Sequence, residues 1–207
     1  MHNENSTYKD TKQTYPLGRV KLVKALRTLL EEKDFSSITT KEIAAQAGVT
    51  ESLIYKYFVD KRDLLLQFVA GGLETVTSDA YWAIKGTKGA QNKLRRLIWS
   101  HVYTYASDQV LAKAICLEVR NHPDFYKSRA YEVTREWCAV IRQTIEEGIA
   151  NKEIRDDLSS KFILQVVLGS IEHVCLTHIV FHKDIDTDQV CDEICEFVFR
   201  GLEPKAE

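Results

Sequence analysis

Residues 39–65 read TTKEIAAQAGVTESLIYKYFVDKRDLL, and the fold is decided by this stretch. Thr39 and Glu42 have the spacing of a capping box, in which a hydroxyl and a carboxylate satisfy the first free amides of a helix. Gly48 suits the left-handed turn that commonly follows a helix. The stretch therefore predicts a short helix that ends in a tight turn.

A second short helix and a longer one follow this turn. Thr50 is a favoured N-cap for a helix over residues 51–58, and Asp60 or a neighbour begins the next helix at Lys61, which runs towards Ile84. A small shared core is expected from Ile43, Val49, Ile54 and Phe58. Two short helices joined in this way have the proportions of a helix-turn-helix, whose second helix can enter the major groove of DNA.

The composition of the whole chain is that of a soluble globular protein. Of its 207 residues 44% are hydrophobic, and 28 Lys and Arg stand against 30 Asp and Glu. This balance excludes a disordered or collagen-like chain. Only three prolines and nine glycines occur, which disfavours a many-turned β-sandwich. The helical periodicity of apolar residues predicts an all-α fold of about nine helices, the later ones near 90–106, 109–121, 127–150, 159–182 and 188–200.

Three segments are predicted along the chain. Residues 1–16 are expected to form a disordered basic tail, residues 17–62 a helix-turn-helix domain, and residues 63–207 a larger helical domain. Residues 1–65 carry 11 basic and 9 acidic side chains, whereas the rest of the chain is acidic overall. This asymmetry fits either a phosphate-facing N-terminal part or a solvated tail, and charge alone does not decide between them.

The stretch 39–65 resembles the DNA-binding region of the tetracycline-repressor (TetR) family, and the resemblance covers about residues 17–66. The matching features are the Thr pair before the first short helix, Ile43-Ala44, Ala47-Gly48-Val49, Tyr55, Phe58, Lys61 and the leucines that follow. The resemblance implies a homodimeric regulator, most simply a repressor, that binds a palindromic operator in double-stranded DNA. It also implies that residues 63–207 form a domain for dimerisation and for binding a small, largely apolar effector that releases the DNA.

The resemblance also assigns residues to the DNA interface. Thr40 and Lys41 would reach DNA from the first short helix, with Lys41 donating to a guanine. At the start of the second helix, Glu51, Ser52 and Leu53 would lie against bases, and Thr50 would cap the helix. Phosphates would be held by Tyr55, Lys56, Tyr57 and Lys61. Tyr55 is equally interpretable as a core aromatic, and Leu53 stands where a Thr is often found.

The predicted dimerisation surface consists of two segments, the almost uncharged Phe162–His182 and Thr187–Arg200, which is apolar on one side. They correspond to the helices near 159–182 and 188–200. The first is long enough to cross a bilayer, but Glu172 lies at its centre. It is better interpreted as a helix buried between subunits, without a membrane. The polar start of the chain is unlike a signal peptide, and the five cysteines are most simply reduced thiols, so a cytoplasmic location is expected.

The predicted effector pocket lies among the middle helices. Its candidate residues are Trp99, Tyr103, Glu118, Trp137, Glu172 and His173. Each aromatic has plain core packing as an alternative, and the charged groups, together with Arg120, can instead pair with one another, because charges in apolar surroundings need partners.

Metal and enzyme functions are not predicted. Histidine and cysteine side chains at helical spacing can bind zinc or copper; here they are His173, Cys175, His178, His182, Cys191 and Cys195. They form no compact ligand cluster in the sequence, so neither a metal site nor a cofactor is expected. No nucleotide-binding loop, HExxH motif or nucleophile elbow occurs. The alternative to a regulator is a helical small-molecule- or metal-sensing protein whose DNA-binding head is not functional.

Overall fold

The computed structural model describes residues 15–204, and within that range it contains nine α-helices and no strand. The helices are α1 Leu17–Glu32, α2 Thr40–Ala47, α3 Ser52–Tyr57, α4 Lys61–Ile84, α5 Ala90–Ser107, α6 Gln109–Lys113, α7 Arg129–Ala150, α8 Ser160–Val180 and α9 Thr187–Leu202. The all-α class and the helix count of this range are therefore confirmed. The predicted disorder of the basic tail falls, up to residue 14, outside the described residues.

Local hydrogen bonds explain where the short helices begin and end. The Thr39 hydroxyl accepts from the Glu42 amide at 3.2 Å and the Glu42 carboxylate accepts from the Thr39 amide at 2.8 Å, which confirms the capping box. Gly48 follows α2 with φ +63°, a conformation that costs glycine little. Lys33, 2.7 Å from Glu42, holds the pKa of that carboxyl down to about 2. The Asp60 carboxylate accepts from the Asp63 amide at 2.8 Å and so caps α4.

The prediction for Thr50 is wrong, since α3 has no side-chain cap and begins at Ser52. The Thr50 hydroxyl accepts from no amide of the first turn, as a capping side chain would. Its hydroxyl lies 3.0 Å from the Ser52 hydroxyl instead.

We call residues 17–60, with helices α1–α3, the head, and its core continues into the remaining helices. Buried side chains of α4, such as Leu64, Leu65 and Val69, belong to the same apolar cluster as Leu26 of α1 and Leu111 of α6. Beyond α6 the chain winds as a π-helix, Ala114–Val119, whose buried side chains join this cluster, and then as the 3₁₀ turn Pro123–Lys127.

Polar contacts also cross from the head to the other helices. Arg27 of α1 lies 2.5 Å from Asp108, and Lys113 of α6 lies 2.7 Å from Asp34. Each pair is partly exposed, so each contributes little to stability, and the main link between the head and the other helices is the shared apolar core.

The second core lies among α5, α7, α8 and α9, where buried leucines and isoleucines such as Leu97, Ile141 and Ile171 meet. Within the described residues, one helix, α8, is long and apolar enough to cross a membrane, a test that core helices of soluble proteins also pass. Only one side of α8 is buried in the chain. Exposed apolar side chains of α8 and α9 and of the residue after α8 are Phe162, Val166, Val174, Val180, Phe181 and Phe197.

Gly72 of α4 packs directly against the Leu111 side chain of α6. A Cβ atom built on Gly72 would lie 2.6 Å from Leu111 Cδ2, whereas one built on the neighbouring Gly71 would meet nothing within 4 Å. Leu111 is itself buried and cannot swing into solvent.

We expect Gly71→Ala to raise the free energy of unfolding by up to about 1 kcal/mol, because alanine is the better helix former. Gly72→Ala gains the same propensity but overpacks the α4–α6 contact, and should be less stable than Gly71→Ala by about 1–3 kcal/mol. Urea denaturation of the two variants measures this difference. Equal stabilities would mean that the Leu111 side chain moves aside at no cost in free energy.

Candidate functional site

The outward face of the helix-turn-helix carries most of the predicted DNA-binding side chains. Six of these residues are exposed, namely Lys41, Thr50, Glu51, Ser52, Tyr55 and Lys56. Tyr55 has 59% of its surface exposed, so it is not a core aromatic. Positions 51, 52, 55 and 56 share one face of a helix with 3.6 residues per turn. This face presents two ammonium groups, hydroxyls and a phenol, which are groups that can bind in a groove of DNA.

Thr40 and Glu51 link the two helices of this face. The Thr40 hydroxyl donates to the Glu51 carboxylate, so the carboxylate is held at the start of α3. A carboxylate here can accept from the N4 amino group of cytosine but repels phosphates. Both side chains are therefore oriented before any DNA is bound.

Leu53 and Tyr57 lie on a different side of α3 from the one predicted. Both are half-buried and pack against the head core. A Cβ atom on Gly18 of α1 would lie 3.0 Å from Leu53 Cδ2 and 3.2 Å from Tyr57 Cε2. These side chains are four residues apart and so share the face that meets α1. In this conformation Leu53 therefore packs against α1. The sequence predicted instead that it would contact a base.

Lys61 also differs from its predicted phosphate contact. Its ammonium donates to the carbonyl oxygens of Phe35 at 3.0 Å and Ile38 at 2.5 Å, and it lies 4.5 Å from the centre of the Phe35 ring. Burial lowers the pKa of Lys61. The side chain therefore ties the start of α4 to the 3₁₀ turn between α1 and α2, where the Phe35 carbonyl also accepts from the Ile38 amide.

Three adjoining spaces lie along α4. A boundary cleft of about 850 Å³ separates α1 from α4 and the start of α7. An α4–α5 groove of about 590 Å³ adjoins it, since Gly72 and Leu111 line both. A much smaller inner cavity, about 40 Å³, adjoins the groove at Val76 and Thr104. One helix thus lines all three spaces.

The outer two spaces differ in chemistry. The basic residues of the boundary cleft are Arg19, Lys24, Arg27, Lys127 and Arg129, against the acidic Asp63, Glu74 and Asp108. The α4–α5 groove is lined by the stacked rings of Trp99 and Tyr103, whose centres are 5.0 Å apart. Arg27 pairs with Asp108 and Arg129 with Glu74. The basic side chains of the boundary cleft that form no salt bridge with described residues are therefore Arg19, Lys24 and Lys127, beside an aromatic groove.

The inner cavity combines apolar walls with a few partly buried polar groups. Trp137 Nε1 donates to His101 Nδ1 at 3.2 Å, and Arg120 donates to Glu172 at 2.5 Å. Burial, and secondarily the charge of Arg120, lowers the pKa of His101 to about 4. The imidazole is therefore neutral at neutral pH, and the local charges of Arg120 and Glu172 cancel.

The predicted effector residues do not form one site. Trp137 lines the inner cavity and Glu172 pairs with Arg120 beside it, as the pairing interpretation expected. Trp99 and Tyr103 line the α4–α5 groove instead. Glu118 and His173 line none of the three spaces: Glu118 offers its carbonyl to Arg62 at the head boundary, and His173 is exposed on α8. The sequence pattern locates a polar residue on a helix but not the neighbour that the residue faces.

Two cavity residues, Thr77 and His101, were not predicted. A single threonine or histidine within an amphipathic helix carries no pattern that distinguishes it from surface positions. Only the packing of α4, α5 and α7 brings these two side chains together.

The histidine and cysteine side chains at helical spacing do not converge on one point. Cys191 and Cys195 are buried with their sulfur atoms 3.8 Å apart, and His178 Nδ1 lies 2.8 Å from the Asp184 carbonyl oxygen. Over residues 15–204, no group of three or more His, Cys, Asp or Glu side chains is placed to hold a metal ion.

Comparison with family models agrees with this architecture. Residues 22–68 match the model described as bacterial regulatory proteins of the tetR family. Residues 72–201 match the model described as the C-terminal region of YsiA-like proteins. The two matches together span the head and the helices behind it.

Individual relatives are transcriptional regulators rather than enzymes. The fatty acid metabolism regulator protein of Bacillus subtilis (strain 168) is 24% identical over 186 residues, which are 90% of this chain and 96% of the relative. The structure of FadR from B. subtilis in complex with stearoyl-CoA has a TM-score of 0.80 at 23% identity, covering 89% of this chain and 99% of that one. FadR from Bacillus halodurans, a fatty acid degradation regulator, has a TM-score of 0.82 at 19% identity, covering 92% and 98%.

Proposed function

Because the chain belongs to the tetR family of bacterial regulatory proteins, we propose that it is a dimeric cytoplasmic repressor released from its operator by a long-chain acyl thioester. The main support for this proposal is α4, a single helix of 24 residues that follows the head directly, completes its core and lines all three spaces. A ligand that moves α4 must therefore move the head.

DNA binding is proposed for the exposed face of α2 and α3. Lys41 would donate to a guanine, and Lys56 and Tyr55 would hold phosphates. Lys61 and Leu53 support this face from within by tying the turn and α1 to it. Lys41 and Lys56 are exposed and form no salt bridge with another described residue. Their charges therefore remain available for DNA, which argues against a head without function.

Dimerisation is proposed through α8 and α9. Their outer surface exposes several large apolar side chains, including 76% of Phe197 and 51% of Phe162. A Cβ atom on Gly169 would meet nothing within 4 Å, so a partner helix can approach closely there. An exposed apolar surface of this kind is typical of a protein interface, and burial between subunits also explains the apolar α8 without a membrane.

The acyl thioester is proposed from two independent supports. A relative of the same fold binds stearoyl-CoA. In this chain the boundary cleft offers cationic side chains suited to the phosphates of coenzyme A, beside an aromatic groove suited to an acyl chain. Occupation of these spaces would shift α4 against α6 and change the distance between the two heads of a dimer, which operator binding cannot tolerate.

We expect Lys56→Ala to weaken binding to all duplexes and to reduce the salt dependence by about one charge. Lys41→Ala should instead relax the preference at one base pair per half-site, by about 1–3 kcal/mol. Selection of operators from random duplex DNA, then a salt titration of each variant, measures both effects. Lys85→Ala, at the far end of α4, is the control and should change neither. A uniform loss for Lys41→Ala would contradict its role as a base reader.

We expect Phe197→Glu to convert the dimer into monomers, because it buries a charge without a partner at the interface. Sedimentation velocity measures the change, and operator affinity should fall with it. Trp82→Glu, which replaces a side chain 56% exposed on α4, is the matched control and should remain dimeric. A Phe197→Glu protein that stays dimeric would show that the subunits meet elsewhere.

We expect stearoyl-CoA, used below its micelle concentration, to release a fluorescently labelled operator from the protein, as followed by anisotropy. Coenzyme A alone should not release it, because it lacks the chain that fills the groove. A protein that binds its operator equally well with saturating stearoyl-CoA would refute the proposed effector while leaving the DNA-binding assignment intact.

A further inference from the structure

We propose that the inner cavity recognises an uncharged carbonyl oxygen of the effector, bound by the Thr77 hydroxyl and by His101 Nε2. This inference rests on the proposed acyl effector and specifies the group that the deepest part of its site takes. It follows from the hydrogen-bonding state of the cavity wall.

The Thr77 side chain of α4 is buried at the wall of the inner cavity. The side chain is only 2% exposed, and within the described residues its hydroxyl is the one buried side-chain oxygen or nitrogen without a hydrogen-bond partner. The other two buried threonines donate to a carbonyl four residues earlier: Thr104 to Ser100 at 2.8 Å and Thr144 to Val140 at 3.0 Å. A buried hydroxyl without a partner is costly. Thr77 lines the inner cavity, so a ligand atom there can remove that cost.

His101 supplies a second donor to the same cavity. Its Nδ1 accepts from Trp137, so its proton lies on Nε2. Within the described residues no acceptor binds Nε2. His101 and Thr77 come from α5 and α4, and both line the cavity. Both groups can donate to an oxygen atom in this cavity, and the buried Thr77 hydroxyl requires such an acceptor.

The charge balance selects an uncharged oxygen over a carboxylate. His101 is neutral, since burial lowers its pKa to about 4. The guanidinium of Arg120, which also lines the cavity, already pairs with Glu172 at 2.5 Å. A carboxylate would enter without a free cation and would lose its hydration. A carbonyl oxygen accepts two hydrogen bonds and brings no net charge.

The cavity is small but has a route for a ligand. It adjoins the α4–α5 groove at Val76 and Thr104, and one wall is formed by Ile115 of the π-helix. π-Helical turns recur at functional sites. The oxygen has two chemical sources, the thioester carbonyl itself and an oxo group within the acyl chain, and the two are separable by choice of ligand.

The test compares four ligands on wild type and on Thr77→Val by isothermal titration calorimetry. The ligands are stearoyl-CoA, its thioether analogue S-octadecyl-CoA, 12-oxostearoyl-CoA and stearate. Thr77→Val keeps the shape and removes the hydroxyl, Thr77→Ser keeps the hydroxyl, and Thr144→Val is the matched buried control.

If the thioester carbonyl is bound, Thr77→Val lowers the affinity for stearoyl-CoA by about five- to tenfold and leaves the affinity for S-octadecyl-CoA unchanged. If a chain oxo group is bound, Thr77→Val lowers only the affinity for 12-oxostearoyl-CoA, by the same factor. In either case Thr77→Ser restores the affinity and Thr144→Val has no effect.

Three outcomes overturn the inference. Equal effects of Thr77→Val and Thr144→Val on all four ligands mean that the cavity binds no oxygen, although stearoyl-CoA binding and operator release would still support the proposed function. Tight, Thr77-dependent binding of stearate means that the site takes a carboxylate. Failure of every acyl-CoA to bind the wild type refutes the proposed effector and this inference together.

Discussion

The packing of α4 is the constraint on which the rest of the structure depends, because its buried side chains complete the head core and the same helix lines all three spaces. Where Gly72 of α4 meets Leu111 of α6 there is no room for a Cβ atom, and both residues line the boundary cleft and the α4–α5 groove. Packed interiors shift between discrete arrangements rather than deform smoothly. A ligand that enters beside this contact therefore competes with the packing that fixes the head.

Features set by local sequence were predictable, and features set by distant packing were not. The capping box at Thr39 and the turn at Gly48 depend on neighbours within four residues, so sequence alone located them. Lys61 has the spacing of a phosphate ligand, but its ammonium faces a turn more than 20 residues earlier. Leu53 likewise lies on α3 as predicted, yet the position of α1 decides that it packs rather than faces outward.

The inner cavity shows the same limit more strongly. Arg120 and Glu172 were recognisable as charges in apolar surroundings, and they do pair, across 52 residues of sequence. Thr77 gave no signal, because a missing hydrogen bond becomes visible only when all its neighbours are known. The polar chemistry of the inner cavity is therefore a property of tertiary packing among α4, α5 and α7.

The continuity of the head core has a consequence for protein engineering. Leu64, Leu65 and Val69 complete that core from α4, and Leu111 closes it from α6. A chimaera that grafts residues 17–62 onto the effector domain of another regulator would therefore expose apolar surface on both parts. The transferable unit must include the first turns of α4 and a matched α6, so operator specificity and effector response in this chain are not interchangeable modules.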